Sequence, residues 1–450
     1  MMATYLFFFG SLSFCLGSSY DARIEHKMKW LNFTFETATD SYNYMNNKVY
    51  ENCMPAGIKI SSNGTIIVSV PRWKSGVPST LNVFEGSQND IGLLRPFPSF
   101  EGNLVGDPNA LQSVLGFEID LDDNLWVLDQ ALVTQVFTPG AAKLVKYNLN
   151  GEVIKTWNLT DYVDTKNSFL NDLVIDTENN FIYISDSGAL YPGFIIIDLN
   201  KETNNIWRTL TNHSSTIPDP SLWIVINGVK VYANGPAQTG VDGIALSCDR
   251  RRLYYTPLTS RTIYYIETRY LRSAYKEDIS DKMVKLGYKR SASDGFIGSE
   301  KGKIYITAIE LNAVFKIDGT ITNPTDFHYA EFTHVISSSK AVWPDTLGFY
   351  NKERRLYAMC NQLHNFESNQ INFLNPVNGD ANFYIWSAYV DDRSYLEGCD
   401  ISSSNNTSIG FPTWAALLLV ICLILVFTMI GCFARQFILA KRRRNQALIG

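Results

Sequence analysis

Residues 242–258 read "DGIALSCDRRRLYYTPL", and residues 294–309 read "DGFIGSEKGKIYITAI". Each opens on Asp-Gly, runs through an apolar stretch, breaks at a charged turn and resumes with an aliphatic-Tyr pair. Four more copies follow the same plan: "PAGIKISSNGTIIVSV" from Pro55, "LGFEIDLDDNLWVLD" from Leu115, "NDLVIDTENNFIYISD" from Asn171 and "DTLGFYNKERRLYAMC" from Asp345. With Ile67, Trp126, Tyr183, Tyr254, Tyr305 and Tyr357 aligned, the intervals are 59, 57, 71, 51 and 52 residues. A period of that size marks a repeated supersecondary unit that must stack on its neighbours to bury its faces. Each copy reads as a β-hairpin rich in Ile, Val, Tyr and Leu with a Ser-Asn-Gly or Asp-Asp-Asn type turn. A third run often follows, as in "KLVKYNL", "GFIIIDL", "TIYYIET", "AVFKID" and "NFYIWSA". The expected fold is all-β, a six-bladed β-propeller. Its blades start just before Cys53 and end near Cys399, and "KWLNFTFE", residues 29–36, is the expected extra strand that closes the ring on the last blade.

The ends place this domain in the cell. Residues 1–19 have the apolar centre and small-residue end of a signal peptide. Residues 414–434 carry no charge over 21 positions, enough for one C-terminal transmembrane helix through roughly 30 Å of hydrocarbon. Behind them residues 435–450 hold Arg435, Lys441, Arg442, Arg443 and Arg444 and no acid, which puts the tail in the cytoplasm. The expected layout is a propeller over residues 20–400, an extracellular stalk over 401–413, the span and the tail. That makes a single-pass type I protein of the plasma membrane with the propeller outside. Sequons at Asn32, Asn63, Asn158, Asn212, Asn405 and Asn406 all precede the span. Four cysteines face the oxidising side, Cys53, Cys248, Cys360 and Cys399, and their even number favours two disulfides among three connectivities. The formal charge of -5, with no basic face outside the tail, argues against nucleic acid as a partner.

Several long phrases resemble, in order, the insect yellow and major royal jelly protein family: "YENCMPAGIKI", "VPRWKSGVPSTLNVF", "LRPFPSFEGN", "LQSVLGFEIDLDDNLWVLDQ", "DGIALS" with "LYYTPLTS", and "WPDTLGF". The resemblance covers about residues 28–400. It implies a six-bladed propeller, in agreement with the repeat count. Yellow-like proteins are usually secreted without an anchor, whereas this chain has an apolar span, and Cys360 stands where a small or aliphatic residue is expected.

Propeller geometry converts the repeats into a site. The first strand of each blade lines the channel and the second returns to the same mouth. Equivalence therefore sets Pro55, Leu115, Asn171, Asp242, Asp294 and Asp345 at one level around the axis, with Gln130, Ser187 and Asn361 at the ends of second strands and Thr346 beside Asp345. An Asp that opens a strand before Gly also serves as an Asx-turn acceptor. Three converging carboxylates, however, repel one another unless a cation sits between them or a proton is kept. The candidate ligand-binding set is Asn171, Asp242, Asp294, Asp345, Thr346, Asn361, Gln130 and Ser187, with one of Asp242, Asp294 or Asp345 as candidate base. The resemblance implies that amine-binding members hold their ligand in this channel through a Thr and an Asn, which fall on Thr346 and Asn361, with Leu363 where those binders place an aromatic lid. The expected partner is a small amine or catechol-like ligand. A dopachrome-type tautomerisation is the enzymatic alternative. No cofactor is expected, and a divalent metal of the lactonase type would fall on Asn171 and Asp242, with Pro55 in place of the first-blade glutamate. A third alternative, adhesion, leaves the protein partner unnamed.

Other chemistry is poorly represented. The histidines form no HExxH or zinc spacing. His364 reads as a solvated loop residue or as a base near the mouth. "DLDDN", residues 120–124, falls on a hairpin turn, and "WPD" lacks the Cys-x5-Arg loop of a phosphatase. The aromatics repeated at the Trp126, Tyr254 and Tyr305 position are core packing.

Overall fold

Short β-branched and aromatic runs broken by polar turns pair as antiparallel hairpins, and six such sheets form around one axis. The computed structural model describes residues 20–400 except 233, 329 and 377–379. The leader, stalk, apolar run 414–434, basic tail, Asn405 and Asn406 lie outside the described residues. Among the described residues no helix is long and apolar enough to cross a membrane. Described residues up to Cys399 belong to one compact unit.

From the axis outward, blade 1 is built from Ile58–Ile60, Ile66–Ser69, Leu81–Gln88 and Ile91–Pro96. Blade 2 is Val114–Ile119, Leu125–Asp129, Lys143–Tyr147 and Val153–Asn158; blade 3 is Leu170–Asp176, Phe181–Asp186, Gly193–Asp198 and Ile206–Thr209. Blade 4 is Val241–Leu246, Arg252–Pro257, Thr262–Glu267 and Val284–Tyr288; blade 5 is Phe296–Gly298, Lys303–Ala308, Ala313–Asp318 and Thr333–Ser337. Blade 6 takes Pro344–Tyr350, Arg355–Cys360 and Phe383–Tyr389 from one end of the domain and Ala22–Met28 from the other. Each inner strand contacts the next, and the sixth contacts the first, so the ring is closed.

The closing strand differs from the one expected. Ala22–Met28 pairs antiparallel with Phe383–Tyr389, from Ala22 opposite Ala388 to Met28 opposite Phe383. The expected segment adds instead a parallel fifth strand, Trp30–Phe33, to blade 1. The reason is burial. An outer strand is only half covered, so Ala22–Met28 alternates Arg23, Glu25 and Lys27 with Ala22, Ile24, His26 and Met28 and carries few large apolar residues. Leu31 and Phe33 are apolar because they lie under helix Ala38–Asn46, where the Tyr44 hydroxyl donates to Leu31 O at 2.5 Å.

The repeated second-strand position is core, as expected: Ile67, Trp126, Tyr183, Tyr254, Tyr305 and Tyr357 are all buried. Their polar ends are bonded, with Tyr254 donating to Gly319 O at 2.6 Å and Tyr305 to Asp392 Oδ2 at 3.0 Å. The 120–124 segment is turn chemistry, with Asp120 accepting from Asn124 N at 2.8 Å and Trp126 Nε1 at 2.9 Å.

One disulfide forms where two were expected. Cys248 and Cys399, 151 residues apart, are bonded, whereas Cys53 and Cys360 are buried thiols. Cys53 donates to Val49 O at 3.4 Å, and burial pushes its thiol up to about 12; Cys360 lies inside the blade 6 sheet. Each is committed to a different packing site, so spacing alone could not choose the pair. The Cys248–Cys399 bond anchors the segment that crosses the far mouth of the channel. There Tyr395 is fully buried, its hydroxyl accepts from Ile175 N at 2.9 Å, and Arg250 donates to Tyr395 O and to Leu396 O. The channel is therefore stoppered at that end.

Of the sequons described, Asn63, Asn158 and Asn212 are exposed, as a glycan acceptor must be. Asn32 is not suited to that role, because it sits in the paired strand Trp30–Phe33 with its side-chain oxygen buried.

Candidate functional site

The phrase that opens the repeats acquires a physical meaning at the open mouth. In four blades the first two strands lose register at the same point, between Val114 and Phe117, Leu170 and Leu173, Val241 and Ile244, and Pro344 and Leu347. The shifted residues include Leu115, Asn171, Asp242 and Asp345. Such a bulge bends the strand and re-aims its side chains. Second-strand hydroxyls satisfy the freed backbone groups. Ser69 Oγ accepts from Gly57 N at 2.8 Å and donates to Leu115 O at 2.9 Å. Ser185 Oγ accepts from Asp172 N at 3.1 Å and donates to Asp242 O at 2.8 Å, and Thr307 Oγ1 accepts from Asp294 N and Gly295 N at 2.9 and 3.1 Å.

In blades 2, 4 and 5 glycine follows the ring residue because the next blade leaves no room for more. A Cβ on Gly116 would lie 2.1 Å from Asn171 O, on Gly243 2.2 Å from Asp294 O, and on Gly295 2.4 Å from Asp345 O. Blades 1 and 6 have Ala56 and Thr346 in that place, and blade 3 has Asp172. Its carboxyl is pushed up to about 7, chiefly by burial in the channel and against the opposing charge of Lys59.

A cavity of about 260 Å³ opens over this ring, and its wall includes Asn171, Ser187, Asp242, Asp294 and Asp345. The three aspartates are 2%, 7% and 3% exposed, so their charges are not screened by bulk water. Asn171 Nδ2 donates to Asp242 Oδ2 at 2.8 Å and to Ser187 Oγ at 3.0 Å, and Trp343 Nε1 donates to Asp294 Oδ2 at 2.7 Å. Asp242 and Asp294 also act on each other across the ring, which favours a proton kept between them. All three carboxyls are held well above the usual carboxylate range. Burial is the main cause in each, followed by the charge of Asp345 on Asp242, of Asp242 on Asp294 and of Asp294 on Asp345.

Three expected site residues stand one layer back. Thr346 Oγ1 donates to Asp345 Oδ1 at 2.9 Å, and Asn361 Nδ2 donates to Asp345 Oδ2 at 2.7 Å and to Pro55 O at 3.0 Å. Gln130 donates to Leu170 O at 2.7 Å. These residues hold the wall and are absent from its surface, because Thr346 and Asn361 are turned onto Asp345 and Gln130 onto Leu170 O. His364 is half-buried in the helix Leu363–Glu367. It stacks on Trp343 at 5.6 Å, and burial lowers it to about 4. For a divalent metal the fit is poor: Asn171 and Asp242 are bonded to each other, and among the described residues no group of three or more His, Cys, Asp or Glu is arranged to hold an ion.

Sequence reasoning missed the aromatic upper wall. Trp73 and Phe169 face each other with ring centroids 6.4 Å apart, and Leu363 and Tyr232 complete the rim. Tyr232 comes from the long interval between Tyr183 and Tyr254, whose excess length was the available signal. Its hydroxyl donates to Glu367 across the mouth. Under this segment Ile224, Ile226 and Val231 pack on Leu258, Ile309 and Trp343. A second cavity, about 280 Å³, lies at the stoppered end, but the charges at its base, Lys59 and Glu118, are already paired at 3.0 Å.

A family model described as major royal jelly protein matches residues 112–399, more than half of the chain. Major royal jelly protein 5 of Apis mellifera is 28% identical over 261 residues, 56% of this chain and 42% of that protein. Protein yellow of Drosophila melanogaster is 26% identical over 297 residues, 62% of this chain and 53% of that protein. The matched chain thus spans about half the length of these relatives. A gluconolactonase from Xanthomonas campestris overlaps 75% of this chain and 86% of its own at 11% identity, with a TM-score of 0.43 that carries no argument.

Proposed function

This chain belongs to the major royal jelly protein family, and from that premise we propose that it binds a small organic cation, an amine or catecholamine-like molecule, in the cavity ringed by Asp242, Asp294 and Asp345. The observation that carries the reading is the ring itself: three buried carboxyls crowd one cavity with only neutral donors to relieve them. A ligand ammonium supplies the missing positive charge, and each charge-assisted hydrogen bond it makes contributes roughly 1.5–3 kcal/mol. Trp73 and Phe169 offer apolar faces above the acids, matching a ligand with a ring at the end opposite its charge. Thr346 and Asn361, which both donate to the Asp345 carboxyl, fix its orientation.

The Asp242–Asp294 pair favours a second reading. Two neighbouring carboxyls, both held well above the usual carboxylate range, provide an acid and a base in one place when one ionises and the other keeps its proton, which a tautomerisation of a catechol-derived quinone would use to move a proton from carbon. In either case we propose that residues 414–434 tether the propeller to the cell surface with the open mouth outside.

Calorimetric titration of the full chain with dopamine and with serotonin, beside a dopachrome-loss assay, tests both readings. One amine bound per chain without turnover is the expected result, and turnover abolished by Asp242→Asn would establish the second reading. Absence of both binding and turnover would remove the site.

A further inference from the structure

The wall of the acid-ringed cavity includes one acid outside the ring, Glu367, and no lysine, arginine or histidine. The three aspartates are buried, whereas Glu367 is exposed at the rim. One space therefore has acid at both ends. Between them stand the rings of Trp73 and Phe169, 6.4 Å apart.

Glu367 is held in place from two sides. It ends the helix Leu363–Glu367, which follows the second strand of blade 6. Asn361 ties that helix to the ring: its Nδ2 donates to Asp345 Oδ2 at 2.7 Å, and its Oδ1 accepts from Leu363 N at 3.1 Å. From blade 1, Lys74 donates to Phe366 O at 2.8 Å and to Asn369 Oδ1 at 2.7 Å, with its Nζ 4.0 Å from the centre of the Phe366 ring. That ammonium is spent on the helix end. The donor that reaches Glu367 Oε2 is neutral, the hydroxyl of Tyr232. This contact is a phenol on a carboxylate, and a carboxylate accepts more than one donor.

We propose that Glu367 reads the far end of the ligand: with the ammonium on the aspartate ring and the aromatic body against Trp73 and Phe169, a phenolic hydroxyl of the ligand donates to the Glu367 carboxylate, as Tyr232 does. The site thereby selects hydroxylated aromatic amines over amines whose ring carries no donor. Asp242, Asp294 and Asp345 treat every ammonium alike, so this discrimination has to come from the rim. An acceptor placed for a hydroxyl penalises a ligand that lacks one, because the carboxylate gives up water and gains no donor in return. The inference rests on the cation-binding reading of the same cavity and adds a specificity-determining residue to it.

The test is calorimetric titration of the full chain with dopamine, tyramine and phenethylamine, which share an ammonium and an aromatic ring and differ in ring hydroxyls. The wild type is expected to bind dopamine and tyramine about tenfold more tightly than phenethylamine, as one hydrogen bond to a partly exposed charge provides. Glu367→Ala is expected to bring that ratio close to one by weakening the hydroxylated amines. Phenethylamine binding by the same variant shows that the fold and the ring are intact. Glu367→Gln repeats the comparison if the alanine variant does not fold. A wild type without the preference, or a preference undiminished in the variant, overturns the proposal while leaving the cation site standing. A wild type that binds none of the three amines removes the reading beneath it.

Discussion

Gly243→Ala is expected to keep blades 4 and 5 from closing on each other. Its new Cβ would lie 2.2 Å from Asp294 O and 3.0 Å from Phe296 Cδ1, and the first of these is backbone that no rotamer change can move aside. Overpacking of a rigid site costs about 1–3 kcal/mol, and a contact against a carbonyl belongs at the upper end or beyond. Unfolding in denaturant measures the loss. Gly235→Ala, where nothing stands within 4 Å of the new atom, is the control and should unfold at the wild-type midpoint. Since the obstructed carbonyl belongs to Asp294, the folded remainder of Gly243→Ala should also bind amine less tightly. Wild-type stability in this variant would mean that the inner strands stand further apart than described.

Asp294→Asn separates binding from stability. Losing one carboxylate from the ring should weaken amine binding about 10- to 100-fold, the equivalent of one charge-assisted hydrogen bond. Folding should not suffer, and the sign follows from the direction of the shift. Asp294 is raised above its unfolded value, so its favourable contribution is complete below the ordinary carboxylate range and is lost as pH rises through the folded value. Asparagine cannot ionise and can still accept the Trp343 N–H. The variant should therefore match the wild type in acid and gain on it as pH rises. Thermal melts across that window, set beside amine titrations, check both halves. A variant that is less stable at every pH would show that Asp294 serves only the fold.

The blades were legible because their signal is local. Each hairpin carries its own apolar period and turn residues, and a phrase repeated six times aligned Asn171, Asp242, Asp294 and Asp345 before any strand was placed. The Asp-Gly pair was half understood. The acid was weighed as turn chemistry or site chemistry, but the glycine answers to the neighbouring blade's backbone, a contact between residues about fifty positions apart in sequence. Asp172 was missed for the same reason: it occupies in blade 3 the position that glycine takes in blades 2, 4 and 5, and only that packing makes a carboxyl there conspicuous.

Other features depend on partners that no local pattern names. Ala22–Met28 pairs with residues more than three hundred positions away and, as an edge, carries a charge at every second position and few large apolar residues between them. The Cys248–Cys399 pairing follows from the path of the segment across the far mouth. Thr346 and Asn361 were assigned to the right blade but to the wrong layer, since both are turned onto the Asp345 carboxyl. Tyr232 lies in an insertion whose length was visible and whose resting place was not.

The central claim is that circular closure forces three carboxyls into one dry space where they cannot all ionise. Carbon-detected NMR titration of the ligand-free chain labelled at aspartate carboxyls, assigned with Asp242→Asn, Asp294→Asn and Asp345→Asn, measures this directly. At least one of the three resonances is expected to remain in its protonated position at neutral pH and to move to the ionised position when dopamine is added. Three carboxyls that all ionise in the ordinary acidic range, unaffected by the amine, would contradict the account.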